Sequence, residues 1–200
     1  MQTLVHLVRH AEVHNPDNTW YGRLEGFQLS ERGFRQAEAL ADYFERRHLT
    51  AIYSSPLTRA MQTATAIADR SGLEIVIEPD IIESETRLQG RPGDQRLFRN
   101  PANFRYFLNP FRPSWGESYK SISERMLSAV HRIREKHPGE EVAAVSHMTP
   151  IVVARMRLLG DQRPAWMGRL SCQRASVSTV VFEDRQVVSS KYEDIGSRVT

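Results

Sequence analysis

Apolar positions along this chain switch between a strand-like and a helix-like spacing. Thr3–Val8 is a near-continuous, β-branched run, which predicts a buried strand. From Ser30, a residue suited to capping, Phe34, Ala37, Leu40, Ala41 and Phe44 recur at helical spacing. Ala51–Tyr53 predicts a short strand. Ser55 then caps a helix with Pro56 at its first position, the apolar stripe Leu57, Ala60, Met61, Ala64, Ile67 and Ala68, and Gly72 at its end. Glu74–Ile77 predicts a third strand. A long helix carries Tyr119, Ile122, Met126, Ala129, Val130 and Ile133 on one face and stops by Pro138-Gly139. Glu141–Val145 predicts a strand, and Thr149-Pro150 starts a helix that runs to about Leu159. Val177–Phe182 and Gln186–Lys191 predict two final strands, joined as a hairpin around Glu183-Asp184. Alternating strands and helices predict an α/β fold: a three-layer sandwich with a mostly parallel central sheet and helices on both faces, spanning residues 1–200 as one domain.

One stretch interrupts this rhythm. Residues 87–115 hold four of the ten prolines, six aromatic residues, six arginines and a single acidic residue, Asp94. So many aromatics argue for an insertion that packs rather than a solvated tether.

Composition narrows the setting. With 40% hydrophobic and 26% charged residues, the chain has the make-up of a soluble globular protein. No apolar run approaches the roughly 20 residues of a membrane span, and no signal peptide is evident at Met1. A single cysteine, Cys172, excludes internal disulfides and thiolate zinc clusters, and is expected to be a buried, inert thiol. A cytoplasmic location with no membrane partner follows as the expectation. The net charge of +3 does not point to a nucleic-acid partner. Only three of the 27 basic residues are lysines (Lys120, Lys136 and Lys191). Codon bias alone could give that ratio; arginine is also the better bidentate phosphate ligand.

Two histidines, His10 and His147, follow predicted strands, where α/β sheets bind their ligands. Arg9 precedes the first, and Arg59 lies on the helix after the second strand. Imidazoles for nucleophilic and proton chemistry, together with guanidiniums for charge, suit a phosphate group. His6, His10 and His14 have the spacing of a helical metal site. In a strand, however, four residues span about 13 Å, too far for one ion, so no metal is expected and His6 reads as a core residue.

These residues also carry a resemblance. Leu7-Val-Arg-His-Ala-Glu12 resembles the LxRHGE signature of the histidine phosphatase superfamily, in its phosphoglycerate-mutase-like branch. Leu29-Ser-Glu-Arg-Gly33 with Gln36-Ala37 is similar to LTxxGxxQA, and Tyr53 to Ala64 to SSPLxRAxQTA. Trp115-Gly-Glu-Ser118 and Val145-Ser-His-Met-Thr-Pro-Ile151 resemble the later GES and VSHGGPI motifs. Ala11 stands in place of a glycine, and Met148 and Thr149 in place of two more.

The resemblance implies a phosphatase that hydrolyses small phosphomonoesters without a cofactor. His10 would accept the phosphoryl group. Arg9, Arg59, His147 and Asn15 would bind its oxygens, with His147 also counted in the catalytic set. Asp80 to Gly90 is similar to a mutase pattern that aligns Glu83 with the general acid, with Glu85 as runner-up and Glu12 as an orienting residue. Arg23, Arg91 and Arg99 are expected at the rest of the substrate. A cofactor-dependent mutase and a non-catalytic phospho-ligand module are the alternatives. Monomer and homodimer both remain open.

Overall fold

A computed structural model describes residues 1–93, 99, 116–163 and 171–199. Six strands form one sheet: β1 (Gln2–Arg9), β2 (Leu49–Ser54), β3 (Ile75–Ile77), β4 (Glu141–Ser146), β5 (Ser176–Glu183) and β6 (Gln186–Asp194). Their order across the sheet is β3-β2-β4-β1-β5-β6. The first four strands in that order run parallel; β5 is antiparallel to β1, and β6 is antiparallel to β5. The sheet is therefore mostly parallel, as the alternating pattern predicts. The β5–β6 hairpin turns where expected, with Asp184 in the left-handed region at φ 54°.

Helices α1 (Glu31–Glu45) and α2 (Thr58–Ser71) cover one face; α3 (Tyr119–Lys136) and α4 (Met148–Leu158) cover the other. The alternation within β4 divides the core. Val142 and Ala144 pack with Ile122, Met126, Val130 and Ile151, while Ala143 and Val145 pack with Leu40, Phe44, Ala60 and Ile67. His6 lies wholly buried in this core. Its Nδ1 is 2.8 Å from Thr179 Oγ1 and its Nε2 3.3 Å from Glu141. Among the described residues no helix is long and apolar enough to cross a membrane.

Two local expectations change. Phe34 is 48% exposed, and the buried face of α1 includes Gly33 and Gln36 instead. The helix is rotated toward the loop after β1, where the Gln36 amide accepts from Glu12 N–H and donates to the Gly196 carbonyl. Ser55 does not cap α2. The helix begins at Thr58 after Leu57, and no side chain caps it. By contrast, Ser30 caps α1 through Gly33 N–H as expected, and Gly72 ends α2 at φ 67°.

Gly33 has a packing role. A Cβ there would run into the Glu12 carbonyl oxygen, which accepts the Ser30 N–H. Helix propensity alone would favour alanine by about 1 kcal/mol. The clash reverses that sign, so Gly33→Ala is expected to lose about 1–3 kcal/mol of stability in a urea melt. An unchanged or raised midpoint would contradict this packing.

Candidate active site

The site grows from the parallel pairing of β1 with β4, whose register sets Arg9 opposite Ser146. One residue further on, His10 N–H donates to the Ser146 carbonyl at 3.0 Å. The two strands therefore end side by side, and the rings of His10 and His147 sit 5.1 Å apart, both fully enclosed. Ser55 N–H bonds the Val145 carbonyl at 2.9 Å, which brings the end of β2 alongside. Arg59, in the first turn of α2, is 1% exposed.

His10 Nδ1 lies 2.8 Å from the Ala11 carbonyl. A carbonyl can only accept, so Nδ1 carries the proton and Nε2 keeps its lone pair. Burial, then the charges of Arg59 and Arg9, hold the His10 pKa well below the ordinary histidine value. His147 is depressed in the same way by burial, His10 and both arginines. Its Nε2 bonds Ser55 Oγ at 2.7 Å, which is the role Ser55 takes in place of capping.

Backbone carbonyls steer the arginines. Arg9 Nη1 donates to the Cys172 carbonyl and Arg59 Nη2 to the Gly22 carbonyl, each at 2.6 Å. The Arg59 guanidinium also lies 4.7 Å from the Tyr21 ring centre. Among the described residues, the Nε atoms of Arg9 and Arg59 and Nδ1 of His147 are buried without a partner. Such groups are costly to leave unpaired. Both helices that start here, α2 and α4, also lack a side-chain cap, whereas serines cap α1 and α3. Open N–H groups at helix starts and unpaired cationic nitrogens together suit an oxyanion.

Glu83 follows a short 3-10 turn, Pro79–Ile81, in irregular chain rather than on a strand. Glu85, the runner-up, lies two residues on in the same irregular chain and is exposed. Glu83 keeps some surface open to the cavity, but protein encloses its carboxyl, and that burial raises its pKa. Ser84 N–H and Oγ both donate to Oε1, at 2.7 and 3.2 Å. The proton of the neutral acid therefore belongs on Oε2.

A cavity of about 580 Å³ opens at this edge; Arg9, His10, Glu83, Asn15, Met148 and Arg174 are among its lining, whereas Arg59 and His147 are not. Asn15 reaches it, but its amide is tied to the backbone of Thr19 at both ends. Arg23, Arg91 and Arg99 are not brought to it among the described residues. Arg23 instead donates to the Glu83 carbonyl and to Glu117. Arg91 holds the rim through its main chain, with Trp20 N–H bonded to its carbonyl at 2.8 Å, and Arg99 is exposed. Of the insertion at 87–115, only residues 87–93 and 99 are among the described ones. Glu12 accepts from Ser30 and Arg32 and pairs with Arg174 at 3.4 Å, consistent with an orienting role.

Tyr21, Glu117 and Arg174 were not singled out by motif spacing. Arg174 sits in the loop before β5, where local pattern carries no signal. The other two have a signal close by: Tyr21 lies two residues before Arg23, and Glu117 is the central residue of the Gly-Glu-Ser motif. His6, His10 and His14 do not converge, since His6 is held in the core and His14 is exposed. Among the described residues no group of three or more His, Cys, Asp or Glu side chains is arranged to hold a metal. A second concavity of about 560 Å³, lined by Tyr43, Arg46, Arg47 and Glu141 among others, contains neither His10 nor His147.

This buried pair of histidines and arginines at the sheet's carboxyl edge defines a phosphoryl-handling class of site. The chain matches the family profile of the histidine phosphatase superfamily (branch 1) over residues 5–195, and it belongs to that family of phosphatases. It is 42% identical over 194 residues to an uncharacterised protein of Mycobacterium tuberculosis, covering 96% of each chain. It is 36% identical over 191 residues to phosphoserine phosphatase 1 of Hydrogenobacter thermophilus, covering 92% of this chain and 89% of that one. Among solved structures, YhfR of Bacillus stearothermophilus superposes with a TM-score of 0.82 at 24% identity, covering 92% and 94% of the two chains, which shows the shared fold.

Burial pushes His10 and Glu83 in opposite directions, so a neutral imidazole and a neutral carboxylic acid can coexist. For turnover that uses both, kcat/KM falls toward low pH as His10 takes a proton, and toward high pH as Glu83 loses one. Glu83→Gln is expected to abolish the high-pH limb and to lower kcat/KM about 10²–10⁴-fold on an alkyl phosphate. p-Nitrophenyl phosphate, whose leaving group hardly needs a proton, should change far less. The same selectivity in Glu85→Gln, and not in Glu83→Gln, would assign the acid to Glu85.

Proposed function

We propose that this protein hydrolyses small phosphomonoesters, with phosphoserine the first candidate, through a phosphohistidine on His10. The observation that carries the reading is the Nδ1–H bond from His10 to the Ala11 carbonyl, which leaves Nε2 unprotonated among arginines. In the first step Nε2 attacks phosphorus and the P–O bond to the alkyl group breaks. Glu83 gives its proton to the departing oxygen. In the second step water attacks phosphorus, Glu83 takes a proton from it, and the P–N bond breaks to release inorganic phosphate.

Arg9, Arg59 and His147 are the groups proposed to hold the phosphoryl oxygens, because their unpaired nitrogens and the uncapped starts of α2 and α4 suit three equatorial oxygens. Asn15 stays in the proposal through its place in the lining. The relative named phosphoserine phosphatase 1 supports a phosphatase over a mutase. It also suggests a substrate carrying a carboxylate and an ammonium group. Arg174 and Glu85, of opposite charge on the cavity wall, fit that pair.

The test is steady-state hydrolysis of phosphoserine with and without a strong chelator. Inorganic phosphate is expected at rates that agree within about twofold in the two conditions, since guanidiniums supply the charge that a metal otherwise would. Loss of activity in chelator would contradict a metal-independent route. A parallel run on a phosphoglycerate, which has a second hydroxyl to receive the group, tests the mutase: an isomerised ester in place of free phosphate would establish it. Tight binding without turnover would establish the binding module.

A further inference from the structure

The Gly-Glu-Ser motif at 116–118 is not used by the chemistry above, yet it lies beside the segment that carries Glu83. Ser118 caps α3 through Ser121 N–H. A Cβ at Gly116 would collide with the Glu85 carbonyl oxygen, so glycine lets the two chains approach. Glu117 N–H donates to that carbonyl at 2.9 Å, and Thr86 bridges Gly116. The Glu117 carboxylate then receives four groups: Arg125 as a two-pronged donor at 2.9 and 3.0 Å, Ser121 Oγ at 2.9 Å, Arg23 at 3.1 Å, and the Glu85 N–H at 3.4 Å.

Both arginines continue on to the main chain around Glu83. Arg23 Nε donates to the Glu83 carbonyl at 2.7 Å, and Arg125 Nη1 to the carbonyls of Asp80 and Ile82 at 2.6 and 2.7 Å. A segment that leaves a short 3-10 turn and continues as irregular chain is thus gripped on three carbonyls by two guanidiniums that one carboxylate holds together. Burial pushes the Glu117 carboxyl up, but the bonds and charge of Arg125, with Ser121 and Arg23, outweigh it and hold the group below the usual carboxylate range. It is therefore an anion at neutral pH, and each bond to it is charge-assisted.

We propose that Glu117 is a positioning residue for the general acid: through Arg23 and Arg125 it fixes the backbone of residues 80–85, and with it the aim of the Glu83 carboxyl. The clamp makes the charge of Glu117 matter for proton transfer to the leaving group and not for phosphate binding. This rests on the assignment of Glu83 as the acid, and the test separates the two.

The experiment measures kcat/KM for wild type, Glu83→Gln, Glu117→Gln and the double variant. The substrates are the alkyl esters phosphoserine and glycerol phosphate, with p-nitrophenyl phosphate for comparison. Glu117→Gln is expected to lose about 10- to 100-fold on the alkyl esters, the scale of a small misplacement of a reacting group. It should lose no more than about threefold on p-nitrophenyl phosphate, and the double variant should be no worse than Glu83→Gln alone. Arg23→Ala, a change at a half-exposed residue, should follow the same pattern more weakly and gives a second reading if Glu117→Gln folds poorly. Equal losses on all substrates, or losses that multiply in the double variant, would overturn the positioning role. If Glu83→Gln itself shows no leaving-group selectivity, the acid assignment fails instead.

Discussion

The pairing of β1 with β4 is the constraint on which the rest of the structure depends. In a parallel pair the register decides which residues leave the sheet together, and here Arg9 opposite Ser146 makes His10 and His147 neighbours. A slip of one residue would turn every side chain of β1 to the other face. It would expose Val5 and Leu7 to the wrong helices and part the two rings. The hydrophobic division of β4 between α1–α2 and α3–α4 therefore protects the chemistry as much as the core.

Charge follows from that geometry. Two guanidiniums and two imidazoles crowded at one edge would repel one another if the rings were protonated. Burial and the arginines together keep the rings neutral. The arginines in turn are steered by the Cys172 and Gly22 carbonyls, contributed by a loop before β5 and a loop after β1. Cys172 thus matters to the site through its main chain, while its thiol is buried and its pKa pushed up by that burial.

Much of this was legible in the sequence because it is local. Strand and helix spacings, the Ser30 cap and the Gly72 stop depend on neighbours a few residues apart, and His10, His147 and Arg59 follow from where strands end. What was not legible depends on distant partners. Phe34 fits the helical stripe, but the loop at Glu12 rotates α1 and leaves it exposed. Ser55 has the sequence of a cap and instead bonds His147, 92 residues away in the chain. Arg23 reads as a substrate ligand because it sits in the right loop, and only tertiary contact shows it turned to Glu83 and Glu117. Arg174 has no local signal at all.

Covalent phosphorylation of His10 at Nε2 is the step on which the proposed chemistry turns. Its most direct test is to mix the enzyme with a ³²P-labelled phosphomonoester, quench without acid within the first turnovers, and map the label. Acid-labile, base-stable label is expected on the peptide containing His10 in wild type, and none in His10→Ala, which should also lose turnover. Label on another residue, or turnover retained by His10→Ala, would contradict it.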